Sequence, residues 1–115
     1  MGVFKVKAKI CGSKSCEEQD MLIDTGSMVT MVSKEMAERI GVDIRARGLI
    51  FRQFTEPPLM GDLGVVDMHL EGKMAPVIVG VMAGVEPVIG ATTLEILGFE
   101  VDPVEGRLKS KPLRV

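Results

Sequence analysis

The chain has 115 residues, of which 46% are hydrophobic and 3% aromatic (Phe only, with no Trp or Tyr), and its formal net charge is -2. That length holds one domain with one core, taken as residues 1–115. The charge excludes the basic footprint of a general nucleic-acid binder, the scarcity of rings excludes a base-stacking platform, and a mean hydropathy of +0.27 points to apolar surface buried beyond a monomer core.

Val3–Ile10 alternates Val and Lys with period two, the pattern of a half-buried strand. The stretch 11–19, with Gly, Ser and charge, reads as a turn, and Asp20–Ile23 as a second strand, so the chain opens with a hairpin. Ser33 suits the N-cap of a short helix whose Met36, Ala37 and Ile40 share one face, with Gly41 beyond its end. Val42–Ile44 leaves as extended chain. Leu49–Thr55 and Leu59–Leu70 are expected as strands flanking a hairpin tip at Glu56-Pro57-Pro58. Glu71-Gly72-Lys73 is a turn. Pro76–Met82 is a continuous apolar run, which predicts a strand buried on both faces. After a turn at Gly84–Pro87 and the tripeptide Val88-Ile89-Gly90, Thr92 or Thr93 is expected to cap a second helix through Leu97, with Gly98 past its end. Phe99–Asp102 is a strand, and Val104–Leu108 another turn and strand.

The N-terminus lacks the apolar core of a secretory signal, and no segment reaches membrane-spanning length free of Gly, Pro or charge. The expectation is a cytoplasmic protein with no membrane partner. Cys11 and Cys16 flank Gly12-Ser13-Lys14-Ser15. With His69 as the sole histidine, a zinc site lacks ligands, and neither metal nor cofactor is expected. Free thiols beside a turn are the favoured reading, a disulfide stapling the turn the alternative. His69 reads as an exposed strand residue, and the methionines as core or interface filler, with Met28 and Met31 able to line a pocket.

The tetrapeptide Asp24-Thr25-Gly26-Ser27, entered from Met21-Leu22-Ile23, carries the most chemistry. An acid at the end of an apolar strand is followed by a glycine turn that fixes the carboxylate in a partly dry position, as acid–base chemistry requires. There is an internal echo. Leu22-Ile23-Asp24-Thr25-Gly26 precedes one capped helix and Gly41, and Val88-Ile89-Gly90 precedes a second helix and Gly98. Two such units in one small β domain are expected to bring their glycine turns together.

With its length and second helix, this pairing of Asp24-Thr25-Gly26-Ser27 with Val88-Ile89-Gly90 resembles the retropepsin-like aspartic proteases over Val3–Leu108. The resemblance implies an all-β fold, a closed acid-protease barrel with one or two short helices, working as a homodimer. Asp24 and its symmetry mate would form the catalytic dyad. Thr25, Gly26 and Ser27 would support the active-site loop, Thr25 by bonding across the dimer axis and Ser27 by donating to the Asp24 carboxylate. Gly26 and Met28 would contact substrate, an extended peptide or unfolded protein, and the hairpin around Leu49–Gly64 would be the flap. The chain departs from retroviral members at Met28 and Ala91, where those carry an Asp and an Arg that pair. Both charges are missing together, so neither is left buried alone. The function expected is that of an aspartic endopeptidase, and the alternative is a dimeric peptide-binding scaffold of the same fold.

Overall fold

A computed structural model describes residues 4–51 and 57–111. In chain order the elements are β1 (Lys5–Cys11), β2 (Cys16–Ile23), β3 (Thr30–Ser33), α1 (Lys34–Ile40), β4 (Asp43–Phe51), β5 (Leu59–Leu70), β6 (Lys73–Met82), β7 (Val88–Ile89), α2 (Ala91–Leu97), β8 (Phe99–Asp102) and β9 (Arg107–Ser110). Seven strands form one mixed sheet in the order β1-β2-β7-β3-β6-β5-β4, and β1 pairs in addition with β5, from Ala8↔Leu70 to Cys11↔Asp67. The hairpin β8–β9 is a separate two-stranded sheet. The described residues are thus mostly strand, as expected. No helix among them is long and apolar enough to cross a membrane.

The opening hairpin follows the alternation. Lys5, Lys7 and Lys9 are exposed while Ala8 and Ile10 are buried. β2 is longer than its apolar residues indicate and begins at Cys16. Its polar half is held by the ladder to β1, which sets Lys7 opposite Asp20 and Lys9 opposite Glu18. Such opposite-charge cross-strand pairs contribute roughly 0.2–1 kcal/mol each. The same register sets Cys11 opposite Cys16, with Cα atoms 4.0 Å apart, and the two form a disulfide. The favoured expectation of free thiols is therefore corrected: pairing along the whole hairpin brings the sulfurs together.

Helix α1 is built as its sequence dictates. Ser33 Oγ accepts from Met36 N–H at 3.1 Å, and Gly41, at φ 74°, donates its N–H to Ala37 O at 3.0 Å. Met36, Ala37 and Ile40 enter the core. Beyond it, the two extended pieces expected at Val42–Ile44 and Leu49–Thr55 are, as far as Phe51, one strand, β4, whose register against β5 shifts between Ile44 and Ala46 and again between Ala46 and Leu49. Those irregularities break the period-two pattern and conceal the continuity from a reading of periodicity. Pro57 and Pro58 are exposed and outside any strand, and Glu56 with the rest of 52–56 lies outside the described residues.

β6 is buried on both faces only over Val79–Met82, the run that pairs with β3 from Thr30↔Val79 to Ser33↔Met82. Towards its start Met74, Pro76 and Ile78 are exposed, a correction to the expected two-sided burial. The main core gathers Ile10, Met21, Val32, Ile40, Met68 and Val79, with α2 adding Leu94 and Leu97. His69, expected to be exposed, is half-buried in β5 between buried Met68 and Leu70.

Candidate active site

β2 and β7 run parallel, with Leu22 opposite Val88 and Ile23 opposite Ile89. The two halves of the sequence echo therefore lie side by side, and the turns that follow them meet. Asp24, directly after β2, donates its backbone N–H to Ile89 O at 3.0 Å. The chain then folds back on its own carboxylate: Gly26 N–H donates to Asp24 Oδ1 at 3.0 Å, and Ser27 N–H to Asp24 O at 3.1 Å. An Asx turn of this kind fixes the side chain by its own backbone.

The loop is also docked onto the start of α2. Ala91 N–H donates to Ser27 O at 2.8 Å and Thr92 N–H to Met28 O at 3.0 Å. These carbonyls satisfy N–H groups that a helix start leaves without partners. This explains why the expected threonine cap is absent: the N-cap is Gly90, which makes no side-chain cap bond. Gly90 is required for a different reason. A Cβ there would lie 2.4 Å from Val29 C and O and 2.8 Å from Ser27 O, all main-chain atoms of the acid loop.

Beneath this contact Thr30 and Thr93 form a buried hydroxyl pair. Their Oγ1 atoms are 2.7 Å apart, and Thr30 Oγ1 also accepts from Gly90 N–H at 3.2 Å. Thr93, one of the expected caps, is thus turned inward, and Thr30 was not singled out by any motif. Nothing in the sequence marks it, because its burial at 0% exposure, which makes a partner for the hydroxyl necessary, is set by the tertiary fold.

The four motif residues differ in setting. Asp24 and Ser27 are half-buried, and Thr25 and Gly26 are exposed. Ser27 Oγ donates to Val29 O at 2.7 Å, so this hydroxyl braces the loop backbone rather than serving the Asp24 carboxylate as expected. Met28, with 77% of its surface exposed, is not core filler but stands out from the loop. Ala91, where the resemblance expects Arg, acts through its backbone N–H alone.

Beside Asp24 runs an apolar row. Leu22, Val88 and Met31 are in register across β2, β7 and β3, and each is half-buried. Directly opposed residues share a face of the sheet. Next in the row is Gly80, opposite Met31, and a Cβ there would meet Met31 Sδ at 2.6 Å and Phe51 Cε1 at 3.1 Å. The side chains of Met31 and Phe51 lie over this gap. The hairpin β4–β5 carries further apolar surface at Ile50, Leu59 and Met60, all exposed. Among the described residues no group of three or more His, Cys, Asp or Glu is placed to hold a metal ion. A cavity of about 340 Å³ lies between the 12–15 turn, α1 and β4, and Asp24 is outside it.

No protein-family model matches the chain, and no curated protein matches it. Among solved structures it is similar to the EIAV protease in complex with the inhibitor HBY-793, with a TM-score of 0.69 and 15% identity over 85% of this chain and 90% of that one. At that identity the likeness is one of fold: the chain has a fold resembling that of a retroviral protease.

Proposed function

We propose that this chain is one half of an aspartic endopeptidase and that a second copy completes it. One observation carries the reading: Asp24 sits on a glycine turn held to the Ile89–Gly90 segment, in a fold resembling a retroviral protease. The return of the sheet from β5 to β1 supports taking it as the wall of a barrel.

Across a twofold axis the two Asp24 carboxyls face each other and share one proton, because two carboxylates so close cannot both ionise. The ionised partner takes a proton from water as the water attacks the scissile carbonyl, and the protonated partner donates to the carbonyl oxygen. Thr25 bonds across the axis to the partner loop. Gly26, with no side chain, lets the peptide backbone approach and offers its carbonyl. The substrate lies as an added strand with alternate side chains on apolar surface. The Leu22–Val88–Met31 row and Met28 supply that surface on one side. Ile50, Leu59 and Met60 supply it from the β4–β5 hairpin, which closes over the peptide and excludes water.

The test is hydrolysis of an unfolded protein at mildly acid and neutral pH, with Asp24→Asn beside the wild type. Loss of turnover in the variant, with folding retained, is expected. Full turnover in Asp24→Asn would place the chemistry elsewhere. Peptide affinity without cleavage by the wild type would instead favour a binding scaffold, a reading to which the exposed Pro57-Pro58 at the hairpin end lends some support, since proline stiffens a segment that must move.

A further inference from the structure

The turn joining β1 to β2 caps the far end of α1. Ser13 N–H donates to Gly41 O at 2.8 Å, and the N–H groups of Lys14 and Ser15 donate to Ile40 O at 2.9 and 3.3 Å. The hydroxyls of Ser13 and Ser15 add bonds to Gly41 O and Arg39 O at 3.1 and 3.2 Å. These carbonyls belong to the end of α1 and its cap, where a helix leaves acceptors without internal partners. The fit is tight: a Cβ on Gly12 would lie 2.2 Å from Ile40 O. Just past Cys16, Glu17 takes a two-point bond from Arg39, at 2.7 and 3.0 Å. The same turn, through Ser13 and Lys14, forms one wall of the cavity beside α1, facing Lys34, Glu38 and Arg47.

The Cys11–Cys16 bond closes this turn at its base, across only a few residues. Cys16 is exposed and Cys11 half-buried, so an incoming thiol reaches the Cys16 side. Once the bond is cut, no covalent link closes the turn, and of its hydrogen bonds to the end of α1 the two from the Ser13 and Ser15 hydroxyls are exposed, where water competes for both partners.

We propose that the Cys11–Cys16 disulfide is a redox-operated latch: it holds the Gly12–Ser15 turn on the end of α1, and its reduction by an external dithiol releases the turn, uncaps the helix and opens the adjoining cavity. The reductant's thiolate attacks Cys16 Sγ, the sulfur–sulfur bond breaks, and Cys11 leaves as a thiolate that takes up a proton. The reductant's second thiolate then displaces Cys16, which is protonated in turn. Two electrons and two protons pass to the cysteine pair, and the dithiol becomes a disulfide. This latch does not depend on the proposed peptidase activity.

Amide hydrogen exchange on the full chain, before and after dithiothreitol, tests it. Reduction should speed exchange at the Ser13, Lys14 and Ser15 amides by about tenfold or more, reversibly on reoxidation, while the Asp24 and Ala91 amides keep their rates. Cys11→Ser/Cys16→Ser should show the fast rates with or without the dithiol. Unchanged exchange in the reduced chain would overturn the latch. So would a uniform rise at every amide, which would make the bond a global staple, or two free thiols in protein purified without reductant.

Discussion

Replacing Thr30 by Val keeps the shape of the side chain and deletes its oxygen. The acceptor of the Gly90 N–H and the partner of the Thr93 hydroxyl vanish together. Thr30 and Thr93 are 0% and 1% exposed, so water cannot take the vacated place. A stranded buried N–H costs about 1–3 kcal/mol. The stranded hydroxyl adds about 1 kcal/mol, kept low because a threonine in a first helical turn can bond back to a carbonyl one turn earlier. The expected loss is about 2–4 kcal/mol. With an unfolding entropy of roughly 2.1 cal/mol/K per residue over 115 residues, Tm falls by about 8–17 °C. Thr93→Val leaves the Gly90 bond intact and should cost only about 1 kcal/mol. The double variant should lose about 2 kcal/mol less than the sum, since each single change strands one hydroxyl and the double change strands none. Urea unfolding followed by circular dichroism, at one fixed protein concentration, gives all three values. A Thr30→Val chain within about 0.5 kcal/mol of wild type, or strict additivity in the cycle, would refute the view that this pair anchors the acid loop.

Gly90→Ala places a methyl against main-chain atoms of residues 27 and 29 and should destabilise by about 1–3 kcal/mol, with turnover falling further than stability because the loop carrying Asp24 must shift. A melt and a rate on the same sample would reveal this, and equal losses in both would count against it. If each chain supplies one acid, activity per chain should fall on dilution and a plot of rate against concentration should bend upward at the low end; strict proportionality down to full dissociation would exclude the dimeric site. The N–H groups of Glu105 and Val104, bonded to Asp102 Oδ1 at 3.1 and 3.0 Å, hold its carboxyl below the usual aspartate range, with Lys109 and Arg107 adding to the effect. The folded pKa lies below the unfolded one, so this stabilisation is complete above the unfolded value of 3.8 and is lost as pH falls towards the folded one. Asp102→Asn should accordingly be less stable than wild type at neutral pH, and the gap should narrow as unfolding is measured at pH values below about 4; a gap independent of pH would contradict the assignment.

What could be read from the chain beforehand was local chemistry. Ser33 and Gly41 bracket α1 because a serine oxygen and a left-handed glycine each solve a problem posed within four residues. The turn at Glu71-Gly72 and the limits of β5 follow in the same way. What stayed hidden depends on partners remote in sequence. The polar start of β2 is a strand because β1 lies beside it, not because its side chains alternate. The outward face of early β6 could not be told from a buried run, since Met74, Pro76 and Ile78 are apolar wherever they point. At the site, the motif named Asp24 and its neighbours, and the echo foretold that the two glycine turns would meet. The Thr30–Thr93 pair and the use of loop carbonyls in place of a helix cap had no local signature at all.

The acid loop takes its anchors from residues far along the chain. Thr30 waits for Gly90, 60 positions further along, and the carbonyls of Ser27 and Met28 wait for the opening amides of the second helix. A nascent chain that has not yet produced Ile89–Thr92 therefore carries Asp24 on a loop without these anchors. The geometry around Asp24 is thus completed only when both segments have been made and have met.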